Sequence, residues 1–188
     1  AKALTLAATA KLPRLQEFVP RRMLAGKTPV RPPQKRKVSK ADWQNLIQKA
    51  APNFSIDGSG EGGVVRFGTF RNKTATRTHP LKRGVPSVLS RKLQVYKGKK
   101  TILRATVSHH PHGDWELRVK VDGKIISKTE VSSKTTTDEW LTHEVDLSPY
   151  GGKEIKLELE NNPTAWMNEW AYWHEVKVSI VPLSVKKK

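Results

Sequence analysis

Residues 115–128 constrain the fold more tightly than any other stretch of the chain. Trp115-Glu116-Leu117-Arg118-Val119-Lys120-Val121 alternates apolar and polar side chains at every step. In an extended backbone successive side chains point to opposite faces, so this run reads as a strand with one buried and one wetted face. Asp122-Gly123 follows, and then Lys124-Ile125-Ile126-Ser127-Lys128. Asp-Gly between two such runs specifies a tight hairpin, because these residues tolerate the positive φ that the turn demands. One hairpin cannot bury a face by itself, so the chain must supply a second layer.

The remaining sequence supplies that layer in the same idiom. Val64–Phe67, Lys92–Tyr96, Thr101–Val107, Leu141–Leu147, Glu154–Glu160 and Tyr172–Val181 are short runs of β-branched, aromatic and alternating residues. Turn residues separate them. About eight strands with turns every ten residues or so predict a sandwich rather than βαβ units. The expected fold class is all-β, a jelly-roll-like antiparallel β-sandwich over residues 54–183.

What precedes residue 54 is different. Ser39 is placed to cap a helix, with Asp42 three residues on in a variant of the capping box. Trp43, Leu46, Ile47 and Ala50 then fall on one face, and Pro52 ends the run. Residues 41–53 are therefore expected to form a short helix and linker. Residues 1–40 read as an extended basic arm. Pro13, Pro20, Pro29, Pro32 and Pro33 remove backbone donors and forbid long helices. The start at Ala1 without a methionine implies processing, trimming or excision from something longer. The glycine-rich stretch Asp57–Gly63 lacks the Gly-Lys-Ser/Thr ending of a phosphate loop and reads as a flexible lead into the first strand.

Charge is distributed unevenly. The net charge is +18, yet residues 51–104 hold 12 basic and 2 acidic side chains while residues 105–185 hold 8 and 13. In the arm, Arg21, Arg22, Lys27, Arg31, Lys35, Arg36 and Lys37 cluster among the prolines, and residues 184–188 form a basic tail. Such a chain calls for an acidic partner: an acidic protein surface, a nucleic acid or an anionic glycan. With no cysteine, disulfides, thiol nucleophiles and zinc fingers are excluded. No apolar run is long enough to span a membrane.

Three phrases carry a resemblance. They are His109-His110-Pro111-His112-Gly113-Asp114-Trp115-Glu116-Leu117, Val145-Asp146-Leu147-Ser148-Pro149-Tyr150-Gly151-Gly152-Lys153 and Glu169-Trp170-Ala171-Tyr172-Trp173. Over residues 54–181 they resemble galactose-binding-like jelly-roll domains, and in particular a carbohydrate-binding module of bacterial, planctomycetal-type surface and secreted proteins. The resemblance implies a non-catalytic module that recognises glycan or a cell-surface component. It also implies a secreted, periplasmic or cell-surface location. The superfold hosts sugar, lipid and protein binding as well as purely structural roles, so function has to be argued from the site.

The candidate ligand-binding residues are Asn161, Asn162, Trp166, Asn168, Glu169 and Trp170. Indoles stack on the apolar faces of sugars while amides and carboxylates bond the hydroxyls, which is the mixture a glycan pocket uses. In the competing reading, Trp170 and Tyr172 merely fill the core, and Trp166 in the preceding loop is the more exposed. His109, His110, His112 and Asp114 could ligate a metal, but the spacing matches no recognised set, and a hydrogen-bonded turn that holds Trp115 is the preferred reading. A structural calcium would draw on Asp57, Asp122 and Asp138, which show no ligand spacing. No cofactor is expected. No Gly-x-Ser-x-Gly, His-Glu-x-x-His or paired-carboxylate motif occurs, so no catalytic residue is assigned. Two functions follow: a glycan-binding module, or a structural subunit of a larger assembly docked by its basic arm onto acidic protein or nucleic acid.

Overall fold

The computed structural model describes residues 39–182. The chain divides into two units, residues 1–36 and 37–188, and every described residue belongs to the second. The seven basic arm residues named above, and the tail from residue 184, lie outside the described residues.

A single helix, α1 (Lys40–Gln48), opens the described chain. Its start is set as the sequence predicts. The Ser39 side chain accepts from the Asp42 amide and the Asp42 carboxylate takes the Ser39 amide, completing a capping box. Ten strands follow. The first five are β1 (Ser55–Asp57), β2 (Val65–Phe70), β3 (Lys73–Thr78), β4 (Ser87–Gln94) and β5 (Lys99–His109). The others are β6 (Trp115–Val121), β7 (Lys124–Val131), β8 (Leu141–Asp146), β9 (Glu154–Asn162) and β10 (Ala171–Pro182). They form two antiparallel sheets: a first sheet in the order β1-β4-β9-β6-β7 and a second in the order β2-β3-β10-β5-β8. The fold is an all-β sandwich.

The alternation in β6 is realised residue by residue. Trp115, Leu117, Val119 and Val121 are buried and the residues between them face outward. Leu157 and Leu159 from β9 join them from the same sheet, and Leu103, Ala105 and Val107 on β5 meet them from the other. Two tryptophans close across the core, Trp115 of β6 and Trp173 of β10, with ring centroids 5.3 Å apart. Each satisfies its indole N–H. Trp115 donates to the Ser108 carbonyl at 3.1 Å and Trp173 to Thr78 Oγ1 at 2.9 Å. Buried indoles without such partners would be costly, so these bonds fix where each ring can sit.

The helix belongs to this core. Ile47, Ala50 and Ala51 are buried in the same cluster as the strands, with Phe54 directly after them. Val176 of β10 donates its amide to the Ala50 carbonyl, and Gln44 and Gln48 both donate to the Phe54 carbonyl. A boundary at residue 54 therefore cuts through one packed unit. α1 also protects an edge of the sandwich: Ile56 on β1 donates to Gln44 Oε1, and Thr76 donates to the Leu46 carbonyl. At the opposite edge Ser127 on β7 and His143 on β8 meet at 2.8 Å, tying the two sheets together where both would otherwise be open.

Two strands go beyond the sequence expectation. β1 has only three residues and β3 reads Lys-Thr-Ala-Thr-Arg-Thr, too polar to register as an apolar alternation. The glycine-rich stretch also differs from the expected flexible lead. Gly60 donates to the His79 carbonyl, and a Cβ at Gly60 would lie 1.9 Å from the Pro80 carbonyl oxygen. It is a packed loop that needs glycine because backbone passes over backbone. No helix among the described residues is long and apolar enough to cross a membrane.

Candidate functional site

The two outer faces of the sandwich differ in kind. On the first sheet most outward residues of β6 and β9, with Lys128 of β7, are lysine, arginine and glutamate in ion pairs. Lys120 meets Glu160 at 2.8 Å, Lys156 meets Glu158 at 2.6 Å, and Glu116 lies between Arg118 and Lys128. That is a self-neutralised, solvated surface.

The outer face of the second sheet is aromatic. Phe67 and Phe70 of β2, Trp140 just before β8, and Trp170 and Tyr172 at the start of β10 gather into one cluster around Ala75. The hairpin joining β2 to β3 builds it. Arg71 and Asn72 both have positive φ, 48° and 64°, as a type I′ turn requires. A register break between Phe67 and Phe70 bends the hairpin. Its tip reaches across the sheet, where Arg71 Nη1 donates to Ser108 Oγ on β5 at 3.0 Å and Nε lies 3.5 Å from Glu139. Trp140 returns a bond to the Arg71 carbonyl at 2.9 Å. Beneath the tip Phe70 stacks flat on Tyr172, centroids 3.7 Å apart and planes 3° from parallel. Tyr172 and Trp140 are buried there, whereas Phe67, Phe70 and Trp170 remain half-buried and present edges to solvent.

Arg77 of β3 sits in the middle of those edges. Its guanidinium lies 4.1 Å from the Trp170 ring centroid and 5.8 Å from that of Phe67. Burial pulls its pKa down from the usual arginine value, and the neighbouring Tyr172 hydroxyl counteracts this. Lys73, on the same face of β3, holds its ammonium 5.3 Å above the Trp140 ring. Beside it opens a cleft of about 500 Å3 lined by Arg71, Asn72, Lys73, Asp138, Trp140 and Thr142.

The loop 163–169 borders the cluster, and here the six expected ligand residues separate. Asn161 is fully buried, its amide shared between Thr78 and the Glu169 carbonyl. Glu169 is 1% exposed, and its carboxylate accepts from the amides of Thr164 and Ala165. Both side chains are turned inward and hold the loop in shape. Asn162 turns toward Glu116 on the outer face of the first sheet. Asn168 has φ of 63° and donates to the His112 carbonyl, bracing the loop against the 110–114 turn. Only Trp166 and Trp170 converge, edge-on around His79 at 5.2 and 6.4 Å.

The histidine turn is hydrogen-bonded within itself. His109 Nδ1 donates to the carbonyls of His110 and Gly113, and Nε2 faces Arg71. Among the described residues no group of three or more His, Asp or Glu side chains is arranged to hold a metal ion. The residues that sequence reasoning missed are Phe67, Phe70, Arg71, Lys73, Arg77 and Trp140. The one local signal was Phe70-Arg71-Asn72, an aromatic followed by a turn pair.

No family model and no curated protein matches this chain. Among solved structures it is similar to a cyclase from Fischerella sp. TAU, with a TM-score of 0.51 and 11% identity over 71% of this chain and 87% of the cyclase. It is similar as well to the CBM22-1 xylan-binding domain of Paenibacillus barcinonensis Xyn10C, with a TM-score of 0.50 and 15% identity over 71% of this chain and 88% of that domain. At such identities the likeness is one of fold.

Proposed function

We propose that the chain is a non-catalytic glycan-binding module whose ligand lies on the outer face of the second sheet. The observation that carries this reading is the contrast between the two faces, one closed by ion pairs and the other an aromatic platform edged by Phe67, Phe70 and Trp170. Aromatic edges and faces beside hydrogen-bonding groups suit sugar rings, whose C–H faces stack and whose hydroxyls bond. The xylan-binding domain shares the fold, which agrees with this use, and the cyclase shows that the same fold also hosts enzymes. Several polar groups around the platform hold it in shape: His109 with two carbonyls, Glu169 with two amides, Arg71 with the Glu139 carbonyl and Ser108. A location outside the cytoplasm fits the family resemblance.

The test is a glycan array followed by calorimetry on the strongest hit. Trp170→Ala and Phe67→Ala should each weaken binding by about tenfold while circular dichroism shows the fold intact. A folded double variant with undiminished affinity would sink the proposal.

A further inference from the structure

We infer that this face takes an acidic polysaccharide, with a carboxylate or sulfate of the sugar chain held by Arg77 and Lys73. The inference deepens the glycan-binding reading and rests on it.

Three observations point to acidity. First, among the described residues neither Arg77 nor Lys73 has a carboxylate within ion-pair distance, whereas Arg71 beside them on this face meets Glu139 at 3.5 Å. Second, Arg77 is half-buried among neutral partners, Nη2 bonding the Gly62 carbonyl at 3.3 Å and the guanidinium meeting the Tyr172 hydroxyl, with no counter-ion beside it. A desolvated cation without a counter-ion is costly, and an incoming anion relieves that cost. Third, the charge asymmetry along the sequence becomes an asymmetry in space. The basic stretch 51–104 supplies β3, the neighbour of β10 that carries Lys73 and Arg77, and β2 beyond it, as well as β1 and β4 of the first sheet.

The face also says what kind of polyanion fits. Arg77 and Lys73 lie four residues apart on one strand face, about 13 Å. Both stand against aromatic rings, and the half-buried Phe67, Phe70 and Trp170 beside them leave aromatic surface for a sugar whose acid group reaches the cation. Nucleic-acid binding typically rests on about 6–10 phosphate contacts, and this face offers far fewer free cations. Asp138, lining the cleft beside Lys73, would further disfavour a continuous phosphate chain.

Calorimetry on the full chain tests this with four probes: polygalacturonate, its carboxyl-reduced neutral form, dextran sulfate and oligo-dT. One of the two acidic polysaccharides should bind at least about tenfold tighter than the neutral polymer, and which one does so tells carboxylate from sulfate. Arg77→Gln should lose most of that advantage and Lys73→Gln about threefold, while Lys92→Gln, the same charge change on the other face, leaves affinity unchanged. Should Arg77→Gln fail to fold, Lys73→Gln at the rim carries the comparison. Equal binding of neutral and acidic polymer would overturn the acidity claim and leave glycan binding standing. Unchanged affinity in both folded variants would overturn it too. Oligo-dT competing at equal affinity would replace it with nucleic-acid binding. No response from any polysaccharide, on a chain whose array is also blank, would remove the glycan-binding reading itself.

Discussion

His79, His110 and His143 all have their pKa pulled below the usual value of 6.5, in each case mainly because burial penalises the charged ring. At His79 the bond to the Pro80 carbonyl and the charge of Glu61 oppose burial, and Arg77 adds a smaller push in its favour; at His110 His112, Arg71, His109 and Arg77 all add to burial. The folded state therefore binds fewer protons than the unfolded chain below the unfolded value. Stability is full above pH 6.5 and falls as the pH drops through and below it. Thermal melts at pH 7.5 and 5.5 should show the lower melting temperature at 5.5, each kcal/mol lost amounting to about 2–4 °C. His143→Gln, which can keep a bond to Ser127, should flatten part of the slope. An unaltered slope in that variant would show that His143 does not titrate with folding. The same scale explains why the site was only partly legible. Asn161 and Glu169 among tryptophans look like sugar ligands in a sequence, because nothing local shows that both are buried and spent on Thr78, Thr164 and Ala165.

At the scale of elements, the loop 58–63 and the hairpin β2–β3 decide the shape of the aromatic face, and a glycine of that loop is not like one of the turn between β3 and β4. Gly60→Ala drives a Cβ into the Pro80 carbonyl and should cost about 3 kcal/mol. Gly84 has φ of +71° with open space around it, so Gly84→Ala should cost only the left-handed backbone strain, about 1 kcal/mol. Urea midpoints of the two variants check this order, and a reversal would mean the loop can move aside. The helix and the strands β6 and β7 were readable because cap, period and turn agreed. β3 was not, since its threonines and basic residues face neighbours that only the sheet supplies. The aromatic face was invisible for the same reason: Phe67 and Tyr172 stand 5.8 Å apart in space and 105 positions apart in sequence.

Across the whole molecule the sandwich behaves as one cooperative body. Trp115 and Trp173 bridge the sheets, α1 closes one edge, and the Ser127–His143 bond closes the other. Urea unfolding followed by tryptophan fluorescence and by far-ultraviolet circular dichroism should give a single shared midpoint. Separated midpoints would show that the sheets melt independently. Sequence fixes fold class at this scale because alternation and turn spacing leave few other solutions, while strand order depends on contacts too distant to read.

The strand order also has a consequence for how the chain is made. In the first sheet β9 lies between β4 and β6, and in the second β10 lies between β3 and β5. Until these last two strands leave the ribosome, each sheet exists only as two separate halves with open inner edges. Until then the nascent chain carries Trp115, Trp140 and four half-sheets unsheltered, and β9 and then β10 complete the two layers.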